Sequence, residues 1–235
     1  MISKKPQRRP YTEGLSQSSL KEISIDTDKI LFVTPTRLEA SILDSCQGVE
    51  NLLITGIGPV NMGINLCECL LKNPTPQLII LFGLCGLFKE VSHDFRIGEV
   101  VLAKKEKFGD LGRCGDSISH IEIKGDAIDY EITAPDFESL PIIGKTLKSL
   151  SLKVADMATC MCTSASHERA SNIYHFTNAQ CENMEGAAFF LVSRKFNIPF
   201  LEVRSISNIA GDSREHWRID LALDSLKSFF ERLFK

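Results

Sequence analysis

The sequence predicts an α/β fold of three layers, α/β/α, with a central mixed sheet between helices. Three observations carry this prediction. The apolar strand runs are continuous rather than alternating, which marks strands buried on both faces. They are interleaved with segments of helical period. The chain has 235 residues with a 43% apolar composition, enough for a large core in one domain.

Residues 1–28 carry Lys4, Lys5, Arg8 and Arg9 among Pro, Gln, Ser and Gly with no apolar period, and are expected to form a flexible basic extension. Residues 29–235 are expected to form a single globular domain. Ile30-Leu31-Phe32-Val33 predicts the first strand, residues 37–43 a helix and Leu52-Leu53-Ile54 the second strand. After TGIGP, residues 60–71 read as a helix that ends near Pro74 and Pro76, before a third apolar strand at 78–82. Further strands are expected at 99–103, around 153–162 and at 200–206, with helices near 168–176, 186–196 and 221–234. Between 104 and 136, Gly109, Gly112, Gly115, Gly125 and many charges suggest an irregular excursion with short strands, suited to a substrate lid or a subunit contact.

The formal charge of −3 supplies no bulk attraction to nucleic acid or anionic membrane, so a small-molecule partner is expected. No apolar run reaches bilayer-spanning length, and the basic N-terminus is not followed by an apolar signal core, which points to the cytoplasm. Eight cysteines include the pairs Cys67/Cys69 and Cys160/Cys162, spaced by one residue rather than two, so most are expected to be reduced core residues. The five histidines are scattered, with no pair at metal-binding helical spacing. Neither a metal nor a cofactor is predicted.

Ligands of open α/β sheets gather beyond the carboxyl ends of the strands. Four segments there are chemically distinctive: Thr34-Pro35-Thr36-Arg37-Leu38-Glu39, Thr55-Gly56-Ile57-Gly58-Pro59, Gly83-Leu84-Cys85-Gly86 and Ser205-Ile206-Ser207-Asn208. The glycines permit close backbone approach or positive φ, but form neither a Walker loop nor a dinucleotide fingerprint. Glu39 and Glu185 sit among small and apolar residues where an unpaired carboxylate is costly. Two readings stand for Glu185: a charge beside the N-terminus of the 186–196 helix, or a group facing a pocket. Two carboxylates at one pocket can divide labour, one activating water and the other gripping hydroxyls beside developing positive charge.

The segments TGIGPVNMG, LFGLCG, GDLG, ENMEGAA and RSISN, in that order, with SNxxGDxRxxW near the C-terminus, resemble the nucleoside phosphorylase and nucleosidase superfamily, and within it the futalosine hydrolase branch. The resemblance covers residues 29–234. It implies a nucleoside phosphorylase-like fold, a homodimer whose neighbour closes part of the 5′ pocket, and hydrolysis of a purine N-ribosidic bond in a route to menaquinone. On this resemblance Glu39 activates water, Glu185 holds the ribose hydroxyls and Met184 packs on sugar or base. Gly83, Cys85 and Gly86 are expected to contact substrate, with Cys162 and Thr163 on the base side. Asn208 stands where relatives acting on adenine nucleosides commonly carry aspartate. Its amide can hydrogen-bond N7 and O6 of a 6-oxopurine, which favours hypoxanthine release from futalosine, or it can order the loop. In Gly98-Glu99-Val100-Val101 no arginine stands immediately before the acidic residue, whereas the resemblance implies one shortly before this run in phosphorylases; this favours water over phosphate, although Arg37 can reach the same region. Arg214 and Trp217 are read either as a flap over the base or as structural. The competing readings are a methylthioadenosine/adenosylhomocysteine or 6-amino-6-deoxyfutalosine nucleosidase releasing adenine, and a non-catalytic nucleoside-binding module.

Overall fold

A computed structural model describes residues 27–44, 49, 51–121, 130–140 and 143–234. The expected basic extension lies outside these residues except for its last two. Strands and helices alternate from the start of the described residues: β1 (Ile30–Thr34), α1 (Arg37–Ala40), β2 (Asn51–Ile54), α2 (Pro59–Lys72) and β3 (Leu78–Leu87). Then follow β4 (Val100–Phe108), β5 (Arg113–Cys114), β6 (Ile118–Ser119), β7 (Glu131–Thr133), α3 (Ile143–Leu150) and β8 (Lys153–Thr159). The rest comprises α4 (His167–Thr177), β9 (Cys181–Asn183), α5 (Gly186–Lys195), β10 (Phe200–Ile209) and α6 (Ile219–Leu233).

The sheet is mixed. β1 pairs in parallel with β2 and β3, and β3 in parallel with β10; β10 is antiparallel to β4, β4 parallel to β8, β8 parallel to β9, and β9 antiparallel to β3. These pairings close β3, β10, β4, β8 and β9 into a ring, with β1 and β2 extending from it. Successive residues of the inner strands serve opposite layers. Leu31, Val33, Ile79 and Leu81 pack with Met62, Leu66 and Leu70 of α2 and with Phe189 and Phe190 of α5. Ile30, Phe32, Leu78, Ile80 and Phe82 pack with Leu226, Phe229 and Phe230 of α6. This two-sided burial is the physical origin of the continuous apolar runs.

The expected elements are present, with three corrections. Residues 104–108 are not irregular: they prolong β4, which is paired along this stretch with β7 and β8. Gly83–Gly86 and Ser205–Asn208 are not loops after strands but lie inside β3 and β10, because those strands pair with each other as far as Leu87 and Ile209. Of the cysteines described, only Cys85, Cys160 and Cys181 are buried, while Cys114 and Cys162 are exposed, so core burial is not the rule; all seven are free.

Candidate active site

Thr36 starts α1, which passes after one turn into a 3-10 turn at Ser41–Leu43. The Thr36 hydroxyl accepts from the Glu39 amide at 3.2 Å, as an N-cap does, and donates to the Glu39 carboxylate at 2.5 Å. Glu39 is thereby turned inward, only 6% exposed, and its Oε1 accepts a second hydrogen bond from the Leu84 amide at 3.0 Å. Burial raises its pKa; the Thr36 hydroxyl, the Arg204 charge and the Leu84 amide each pull it back.

Glu185 resolves its two readings in favour of the pocket. It occupies the N-cap position of α5, but its side chain caps nothing. The cap is Asn183, whose Oδ1 accepts from the amides of Glu185 at 2.9 Å and Gly186 at 2.8 Å. The freed Glu185 carboxylate is 3% exposed; it accepts from the Gly58 amide at 3.0 Å and from both terminal nitrogens of Arg204 at 3.3 Å. Gly58 can offer that amide because it holds φ = 96°, a conformation that disfavours side chains.

Arg204 links the two acids and escaped the sequence reading. It is 1% exposed on β10, and donates from Nε to Glu202 at 2.8 Å and from Nη1 to the Leu84 carbonyl at 3.2 Å. Burial disfavours the guanidinium, but Glu202 and Glu185 outweigh that and keep it firmly protonated. Its signal in the sequence is Glu202-Val203-Arg204, two opposite charges at alternate positions, and so on one face, of a strand that opens with apolar residues.

These groups open on a cavity of about 320 Å³ whose lining includes Glu39, Cys85, Gly86, Thr163, Glu182, Met184, Glu185, Arg204 and Asn208. That volume matches a small organic ligand. Asn208 is 4% exposed; its Oδ1 accepts from Ser207 and one Nδ2–H donates to the Ile209 carbonyl, leaving the second N–H available. Glu182, also absent from the expected set, accepts from the amide and hydroxyl of Ser164, and burial raises its pKa. Arg214 and Trp217 line the mouth with the guanidinium over the indole, 5.3 Å from its centroid.

Two expected contacts fail. Cys162 is exposed and does not line the cavity, because the chain leaves the sheet at Thr159 and turns outward before Thr163. Gly83 is buried behind the wall: a Cβ there would lie 2.7 Å from Arg204 Nη1 and 2.8 Å from Glu39 Oε1, so its absence is what lets the acid and the guanidinium approach. Arg37 is exposed on α1, outside the lining.

Residues 38–235 match the Phosphorylase superfamily. The chain is 32% identical over 216 residues to the futalosine hydrolase of Thermus thermophilus, covering 86% of this chain and 94% of that protein. It is 25% identical over 162 residues to a 5′-methylthioadenosine/S-adenosylhomocysteine nucleosidase of Staphylococcus aureus, covering 68% of this chain and 69% of the relative. Among solved structures, a futalosine hydrolase mutant of Helicobacter pylori superposes with a TM-score of 0.70 at 18% identity, over 87% of this chain and 97% of that one.

Proposed function

The chain belongs to the Phosphorylase superfamily, and we propose that within it the protein is a purine nucleoside N-glycosidase, hydrolysing futalosine to hypoxanthine and dehypoxanthine futalosine on the way to menaquinone. The observation that carries this reading is the convergence of Glu39 and Glu185 on one cavity with Arg204 between them. Water held at Glu39 loses its proton to that carboxylate as its oxygen attacks C1′. The C1′–N9 bond breaks, its electron pair leaves with the base, and the base takes a proton from solvent while Glu39 returns its own to solvent. Glu185 accepts hydrogen bonds from the ribose hydroxyls, and its charge favours the oxocarbenium character of the transition state. Met184 packs on the sugar. The free N–H of Asn208 meets N7 or O6 of the departing purine, stabilising the negative charge it gains.

Water is favoured over phosphate because Arg204 is already engaged by two carboxylates, Arg214 lies over the Trp217 indole, and Arg37 is exposed and does not line the cavity. An anion arriving beside Glu39 and Glu185 would meet net repulsion.

The expected homodimer remains part of this proposal, at a different place. The subunit contact was expected at 104–136, but the exposed apolar side chains cluster on α2, where Val60, Ile64 and Leu71 are 60%, 62% and 75% exposed. This face runs on to Ile57 at the cavity, so a second copy seated there would also cover its mouth. No helix among the described residues is long and apolar enough to cross a membrane; a cytoplasmic location is proposed with the rest.

The test is chromatographic detection of free purine from the purified protein given futalosine, 6-amino-6-deoxyfutalosine, methylthioadenosine, adenosylhomocysteine or inosine, with and without phosphate. Phosphate-independent hypoxanthine release from futalosine is the expected result. Preferential adenine release would keep the enzyme class and overturn the base assignment, and binding without release would overturn the enzyme.

A further inference from the structure

Beneath the cavity lies a second pair of acids that the reaction does not touch. Glu106 of β4 and Glu202 of β10 are both 0% exposed. Glu106 accepts from the Thr159 hydroxyl and from Asn183 Nδ2, each at 2.6 Å. Glu202 Oε1 accepts from Arg204 Nε, but its Oε2 receives no hydrogen bond from any N–H or hydroxyl among the described residues. What faces Oε2 is the other carboxyl: Glu106 Oε1 and Glu202 Oε2 both converge on Gly186, where a Cβ would lie 1.9 Å from the first and 2.7 Å from the second. Glycine in the ENMEGAA segment is therefore a packing requirement of this pair, whatever its role as the first residue of α5.

Two buried carboxylates in contact, one with an empty acceptor aimed at the other, do not both ionise. The charges around them reinforce this. Glu39, Glu185, Glu202 and Glu106 all act on the single guanidinium of Arg204, an excess of negative charge that is costly among groups this deeply buried.

We infer that Glu106 and Glu202 share one proton, Glu106 Oε1–H donating to Glu202 Oε2, and that this singly charged pair is a positioning element for Arg204 and Asn183. Burial and the neighbouring Glu202 charge both act in this direction, holding the Glu106 carboxyl well above the ordinary glutamate range. The pair presents one negative charge to Arg204 Nε. It leaves the terminal nitrogens to orient Glu185, and it fixes Asn183, whose Oδ1 caps α5 directly behind Glu185. If both acids were ionised, Arg204 would be drawn toward them and away from Glu185. If both were neutral, its charge would fall on Glu185 alone and blunt the carboxylate that grips ribose.

The inference deepens the nucleosidase reading, and one arm of its test is independent of turnover. Glu202→Gln can accept from Arg204 Nε and donate to Glu106, which then ionises with three donors. The infrared difference spectrum, parent minus Glu202→Gln at neutral pH, is expected to show the carbonyl band of a protonated carboxyl; Glu39 and Glu182 cancel in the subtraction. Absence of that band would overturn the shared proton, and Glu106→Gln supplies the same comparison if Glu202→Gln does not fold. The kinetic arm compares Glu202→Leu with Glu202→Gln. Leu is expected to raise KM for the nucleoside by roughly tenfold or more, and Gln to restore most of it. Equal effects of Leu and Gln would overturn the positioning role. A protein that releases no purine from any nucleoside still yields the infrared result, so failure of the two readings is distinguishable.

Discussion

At the scale of the residue, the site is a set of charges whose positions are set by small neighbours. Glu39 and Glu185 are both buried, yet they have different partners: a hydroxyl and an amide for Glu39, a guanidinium and an amide for Glu185. That difference is the basis of the two roles proposed for them. Glu39→Gln is expected to lower kcat by roughly 10²- to 10⁴-fold with KM little changed, whereas Glu185→Gln damages both, as steady-state kinetics would show. Near-parental turnover by Glu39→Gln would remove it as the base. As the proposed base Glu39 must be ionised, and its pKa is raised by burial, so kcat/KM is expected to fall as the pH drops through that raised value. The Thr36 hydroxyl lowers the same pKa. Thr36→Val is therefore expected to move the acid limb to higher pH and Thr36→Ser to leave it in place; a limb that stays put in both would show that Glu39 does not set it. At the base end, Asn208→Asp is expected to shift the ratio of kcat/KM toward 6-aminopurine nucleosides, and an unchanged ratio would sink the role given to its N–H.

At the scale of the element, long strands deliver the chemistry. β10 alone carries Glu202, Arg204, Ser207 and Asn208, and β3 runs beside it with Gly83 and Gly86 opposite. In the sequence these glycines suggest loops, because glycine commonly marks positive φ or a turn. Neither glycine has positive φ. Gly83 leaves space for Glu39 and Arg204; Gly86 does so for Asn208 and Glu182. A side chain's absence can serve packing across a sheet as readily as backbone freedom, and a linear pattern does not separate the two. Gly83→Ala tests this: circular dichroism should remain that of the folded chain while activity falls at least tenfold, because the methyl meets the acid and the guanidinium rather than core backbone. Parental activity in a folded Gly83→Ala protein would contradict that geometry. Three-residue β9 was not foreseen either; Cys181–Asn183 has too little length for periodicity, and its pairing with β3 and β8 is entirely non-local.

At the scale of the whole molecule, the ring of β3, β10, β4, β8 and β9 brings residues from distant parts of the chain to one cavity. The exposed apolar face of α2 then sets a further expectation: Ile64→Glu should convert a dimer to a monomer in sedimentation velocity and weaken nucleoside binding. A parental protein that sediments as a monomer would remove that proposal. The sequence by itself determined the layered α/β architecture, because strands covered on both faces must be apolar throughout. Glu39 and Glu185 are legible in it as carboxylates set among small and apolar residues, and Asn208 through the resemblance; all three line the cavity, and the roles given to them are part of the proposal. Only the tertiary structure decided that Arg204 joins the acids, that Asn183 rather than Glu185 caps α5, that Cys162 faces outward, and that Glu106 lies against Glu202. The Asn183 cap is a local turn of the backbone after β9; Arg204 joining the acids and Glu106 meeting Glu202 depend on which strands become neighbours, and strand pairing is a property of the closed sheet rather than of any segment within it.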